Sequence, residues 1–173
     1  MVHFILSPVE AAVSDLAWIE GLRRAHDPHD SLVAAHVTLV FGFASPAPAV
    51  AISHAREVGR RFAPFDYALT SARAVRDLSG DGSHVFLVPG RGAAEIVALH
   101  DALYGGPLAE QLRTDIPFIP HVTVGYFESH EDAGTLALEL SGSVDVRARL
   151  GRLNIVAFDD GSISLLETVP LGV

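Results

Sequence analysis

The chain contains no cysteine, which excludes disulfides, thiolate nucleophiles and cysteine-held metals. It contains no lysine either, so all 12 basic residues are arginine. That excludes a Schiff base, a P-loop lysine and the lysyl-nucleotide intermediate of ATP-dependent end joining. No apolar run approaches the ~18 residues that a membrane span needs. The opening Met1–Pro8 stretch has no basic n-region and is too short for a signal peptide, so it reads as a first strand. A soluble cytoplasmic protein is expected. Positive charge is scarce, with a formal net charge of −9. Broad nucleic-acid binding needs a basic field to displace counterions, so no general nucleic-acid surface is expected. A small anionic ligand in a local pocket is compatible with that charge.

What is present describes a well-buried globular chain. At 173 residues, 49% hydrophobic and 19% charged, it suits a single domain over 1–173 with a sizeable core. A monomer is expected. For acid-base work near neutral pH it has carboxylates and nine histidines.

Two of those histidines share a setting. His36-Val37-Thr38-Leu39 is matched later by His121-Val122-Thr123-Val124. Each tetrapeptide lies in an apolar, β-prone run, Ala34 to Phe43 and Phe118 to Phe127. Alternate side chains of a strand share a face, so each copy shows an imidazole and a hydroxyl on one side and two aliphatics on the other.

The surroundings repeat as well. Val2 to Pro8 and Ser83 to Pro89 are short apolar strands ended by proline. Helices are predicted over Val9 to Arg24, with Val13, Leu16, Ile19 and Leu22 buried, and over Ala93 to Leu103. After the first His-x-Thr strand come a helix from Ala49 to Phe62 and a strand from Phe65 to about Arg76. After the second come a helix from Glu131 to Leu140 capped by Ser129, then strands over Val144–Leu150, Leu153–Phe158 and Ile163–Val169. Both halves run strand, helix, His-x-Thr strand, helix, strand. Such a duplication predicts two lobes related by a pseudo-two-fold axis, with the two His-x-Thr strands facing one another across a groove. The fold class is therefore α+β and bilobal, each lobe an antiparallel-rich sheet flanked by helices.

Over essentially its whole length the chain resembles the 2H phosphoesterase superfamily, in its 2′-5′ RNA ligase-like, RNA 2′,3′-cyclic phosphodiesterase branch. The residues that carry the likeness are His36 to Phe41, Phe118 to Val124 and the repeated order around them. The resemblance implies that His36, Thr38, His121 and Thr123 line a central groove and act without metal or cofactor on a cyclic or 2′-5′ phosphodiester. It further implies His121 as the base for water and His36 as the acid for the leaving 3′ oxygen, giving a 2′-phosphate. The expected partner is a nucleotide or RNA end bearing a cyclic phosphate. Members of the branch often carry arginine just after the second motif, where this chain has Tyr126.

The chemistry is consistent with that assignment. Histidine titrates near neutrality and suits both proton transfers. The threonine hydroxyls can donate to the non-bridging phosphate oxygens. Phe41 and Tyr126 follow the two motifs at equivalent positions and are candidates for stacking on a base or ribose, although a regular strand would turn them away from the histidines. Arg23, Arg24 and Arg91 fall near predicted loop ends and could meet phosphate, although most such arginines are simply solvated. His26 and His29 are expected to be exposed in a turn, and His3, His54, His84 and His100 to be structural or superficial. Two other functions fit the same motifs. One is cyclic phosphodiester cleavage on a small metabolite such as ADP-ribose 1″,2″-cyclic phosphate; the other is a nucleotide-binding module without turnover. A histidine-ligated metal hydrolase fits less well, because no His-x-x-x-His or Glu-x-x-His spacing occurs.

Overall fold

The computed structural model describes residues 1–173. The first half contains β1 (Val2–Pro8), a two-residue β2 (Glu10–Ala11), α1 (Val13–His26), β3 (His36–Phe43), α2 (Pro48–Arg61) and β4 (Phe65–Arg76). The second contains β5 (Ser83–Arg91), α3 (Ala93–Leu103), a 3-10 helix (Gly106–Gln111), β6 (Val122–Phe127), α4 (His130–Leu140), β7 (Val146–Leu150), β8 (Arg152–Asp159) and β9 (Ser162–Pro170). Local chemistry marks several boundaries. Pro48 opens α2, where its missing N–H would be unpaired in any case. The Ser129 hydroxyl accepts from the Glu131 and Asp132 amides and starts α4.

The predicted helix from Val9 begins four residues late. The Val9 amide donates to Ala35 O at 2.9 Å, and Glu10 and Ala11 pair with Arg149 and Ala148 of β7. These bonds hold Val9–Ala11 extended, so tertiary pairing overrides the apolar periodicity. Val13 is consequently 85% exposed, and the inward face of α1 centres on Ile19 and Arg23.

Nine strands form two antiparallel sheets, in the orders β3-β1-β8-β9 and β2-β7-β4-β5-β6. Each contains one repeated pair, β1 with β3 and β5 with β6. The lobes are not the two halves of the chain, however. β4, from the first half, pairs with β5, while β8, from the second, pairs with β1. The inner helices cross as well, since α1 packs on β6 and α3 on β3. Each His-x-Thr strand is thus buttressed by a helix from the opposite half. Val37 and Leu39, like Val122 and Val124, are buried in the continuous core.

Gly125 sets how closely α1 approaches β6. A Cβ there would lie 3.1 Å from His26 Cβ and 3.0 Å from the Phe127 ring. Gly134, within α4, has nothing within 4 Å of the equivalent point. Gly125→Ala should therefore destabilise by about 1–3 kcal/mol through overpacking. Gly134→Ala should stabilise by about 0.5–1 kcal/mol through helix propensity. Urea denaturation midpoints of the two variants would move in opposite directions.

Candidate functional site

A cleft of about 1030 Å³ opens between the lobes, and all four motif side chains line it. His36 and Thr38 come from β3, Thr123 from β6, and His121 from the residue before β6 begins. The second strand starts later than predicted because Pro117 and Pro120 keep the approach to His121 irregular.

The two imidazoles are held in the same way. His36 Nδ1 lies 2.8 Å from Ala34 O, and His121 Nδ1 lies 2.5 Å from Ile119 O. A carbonyl oxygen only accepts, so Nδ1 must carry the hydrogen in both rings. Nε2 is then the site at which each neutral ring can take up a proton. In each case the accepting carbonyl stands two residues upstream.

Burial sets their titration. Each ring shows part of its surface to the cleft, but the surrounding protein strips away much of the water. Desolvation lowers the His36 pKa against the opposing pull of its bond to Ala34; Arg23 lowers it further, and Asp27 and Glu20 raise it. Desolvation likewise takes His121 down to about 4, against its bond to Ile119, with His36 and His84 adding cationic repulsion. The His121 ring also stacks on Phe86, with centroids 3.6 Å apart and planes 17° from parallel. Both histidines are therefore neutral at neutral pH in the unliganded protein.

Phe41 and Tyr126 also line the cleft, contrary to strict alternation. Each strand carries a bulge after its motif. Leu6 pairs with Thr38 but Ile5 with Val40, and Phe86 pairs with Thr123 but Val85 with Gly125. One extra residue makes two successive positions face the core, Leu39 with Val40 and Val124 with Gly125. The next side chain then returns to the groove face. In the first strand the Phe41 amide donates to the Tyr104 hydroxyl at 3.0 Å. The signal was present in the sequence as consecutive apolar residues in each run.

The structure gathers further groups that the sequence did not single out. Phe86, His100, Tyr104, Arg113 and Phe118 line the cleft, with His100 stacked on Phe118 at 3.7 Å. His84 is a cleft residue rather than a superficial one, 3.6 Å from Asp77 and 5.0 Å from the Tyr126 ring. Arg23 is 2% exposed, not solvated, because Glu20, Asp27 and backbone carbonyls surround its guanidinium. His29 is exposed as expected, whereas His26 packs against Phe127. His3 is buried with Nδ1 near Phe43 O, and His54 meets Leu103 O, both structural as expected. No group of three or more His, Asp or Glu side chains has a metal-holding arrangement.

Residues 8–162 match the family described as the 2′-5′ RNA ligase superfamily. No curated protein sequence matches. Among solved structures, Kluyveromyces marxianus Usb1 with uridine monophosphate superposes with a TM-score of 0.65 at 13% identity, covering 98% of each chain. E. coli LigT in apo form gives 0.58 at 18% identity, covering 98% of this chain and 96% of that one. E. coli LigT complexed with 3′-AMP gives 0.56 at 17% identity over 99% of each. At these identities the likeness is one of fold.

A histidine whose pKa is lowered on folding binds more protons unfolded than folded. Its contribution to stability is present above about 6.5 and is lost as pH falls through the folded value. For His121, at about 4 in the fold, the loss is on the order of 3 kcal/mol between pH 6.5 and 4. His121→Gln should flatten the pH dependence of the unfolding free energy in that window. An unchanged slope would show that His121 is not desolvated as described.

Proposed function

Because the chain belongs to the 2′-5′ RNA ligase superfamily, the 2H phosphoesterases, we propose that it hydrolyses a 2′,3′-cyclic phosphate to a 2′-phosphate. The observation that carries this reading is the matched pair of imidazoles, each with Nδ1–H spent on a carbonyl and Nε2 left for proton transfer in one cleft. Two such groups on either side of a phosphorus are what in-line displacement requires.

In the proposed reaction His121 Nε2 takes a proton from water as the water oxygen bonds to phosphorus. The P–O3′ bond breaks, and protonated His36 Nε2 delivers a proton to the departing oxygen. Thr38 and Thr123 donate hydroxyl hydrogen bonds to the non-bridging oxygens, where negative charge collects. The directions of the pKa shifts support this division of labour. His121, at about 4, remains a free base over a wide range. His36 faces Asp27 and Glu20, whose charges raise its pKa, and an anionic phosphate beside the ring would raise it further and favour re-protonation. A metal ion has no step in this scheme.

Phe41 and Tyr126 are proposed to hold the base or ribose by stacking from opposite strands. Tyr126, where relatives often have arginine, offers a ring and one hydroxyl instead of a bidentate phosphate contact. The nucleotide complexes of Usb1 and LigT favour a nucleotide-sized ligand. The net charge of −9 favours a small substrate over a long RNA. ADP-ribose 1″,2″-cyclic phosphate is therefore the second reading.

The test is turnover of nucleoside 2′,3′-cyclic monophosphates, cyclic-ended oligonucleotides and ADP-ribose 1″,2″-cyclic phosphate, with the product phosphate located by NMR. His36→Ala and His121→Ala should each lower kcat by ~10²–10⁴-fold, and chelator should leave the wild type unaffected. Binding without turnover across the panel would overturn the reading in favour of a binding module. The pH profile of kcat/KM should be a bell displaced to the acid side of 6.5. Its acid limb, near 4, follows protonation of His121, and its alkaline limb follows loss of the His36 proton. An optimum above pH 7 would contradict it.

A further inference from the structure

Arg23 is the one arginine buried inside the fold, and it lies against the cleft beside the first motif. A phosphate-binding role is the obvious reading of a guanidinium there, but its donors are already spent. Nε and Nη2 both reach Asp27 Oδ2 at 3.4 Å, and Nη1 donates to Glu20 Oε2 at 3.0 Å and Oε1 at 3.3 Å. Nη2 also donates to Val33 O at 2.8 Å and lies 3.4 Å from Asp30 O. Glu20 Oε1 in turn accepts from the Ala35 amide at 2.6 Å.

The two backbone groups gripped in this way flank a single residue. Arg23 fixes the Val33 carbonyl and Glu20 fixes the Ala35 amide; between them stands Ala34, whose carbonyl accepts from His36 Nδ1. We propose that Glu20 and Arg23 are positioning residues for His36, holding the Ala34 carbonyl so that the ring keeps its Nδ1–H tautomer and aims Nε2 into the cleft. Asp27 completes the clamp by holding Arg23 and, through Oδ1, the His29 amide at 3.0 Å. The helix that carries the clamp does not belong to the lobe of β3. It packs on β6, with His26 against Gly125. One helix therefore references the first histidine to the strand that follows the second. His121 has no such ion pair, since Pro120 and the Phe86 stack constrain it instead.

The distinguishing readout is the tautomer of each histidine, followed by ¹⁵N NMR of the ring nitrogens above neutral pH in the substrate-free protein. In the wild type both rings should report Nδ1–H. In Arg23→Gln, His36 should shift to a mixture of tautomers while His121 stays unchanged, and Arg23→Lys should restore the signal in part. If Arg23→Gln does not fold, Glu20→Gln should move His36 in the same direction by less. The kinetic arm rests on the proposed acid role of His36: kcat on a cyclic phosphate should fall about tenfold or more, with KM changed far less. A folded variant whose His36 keeps its tautomer would overturn the inference, as would equal changes at both rings, the mark of general loosening. The NMR arm needs no substrate, so it stands or falls separately from the assignment of the reaction.

Discussion

An imidazole that must transfer a proton needs one nitrogen tied down, and here a backbone carbonyl does that work twice. The carbonyl cannot donate, so it dictates the tautomer, and because it belongs to the residue two positions upstream it also dictates the ring direction. Everything else in the cleft depends on that constraint. The strand supplies a hydroxyl two residues on, on the same face, and the buried aliphatics between them keep the strand from rolling. Water is partly excluded, which holds both rings neutral and makes their charge responsive to an arriving anion.

The walls of the cleft come from a second device. A bulge in each motif strand changes which side of the sheet the chain faces, so that Phe41 and Tyr126 join the histidines instead of the core. A bulge leaves backbone groups outside the ladder; in β3 the Tyr104 hydroxyl receives the Phe41 amide. The same irregularity therefore sets the aromatic wall and ties it to α3, the helix that leads into Tyr104.

The four motif side chains were legible in the sequence because repetition turns two weak patterns into one strong one. Most elements were legible too, through proline at α2, the serine cap of α4 and the alternation of the strands. The misses have physical causes. Val9–Ala12 read as helix because its apolar spacing is helical, and only its bonds to Ala35 and β7 make it extended. Phe41 and Tyr126 were named as candidates from their equivalent positions, and what the sequence did not show was the bulge that turns each toward the groove. Arg23 was assigned to solvent because a buried guanidinium is rare, and the carboxylates and carbonyls that permit it come from a helix and a loop whose meeting is a tertiary fact. His84 and Phe86 belong to no motif and reach the cleft because β5 lies beside β6, and Tyr104 reaches it because α3 packs on β3.

That strand order ties the two halves of the chain together. Each repeated pair is completed by a strand from the other half, β8 beside β1 and β4 beside β5. Without the strand from the other half, β1 and β5 would each present an unpaired edge. The cleft therefore belongs to the junction of the two halves rather than to either one.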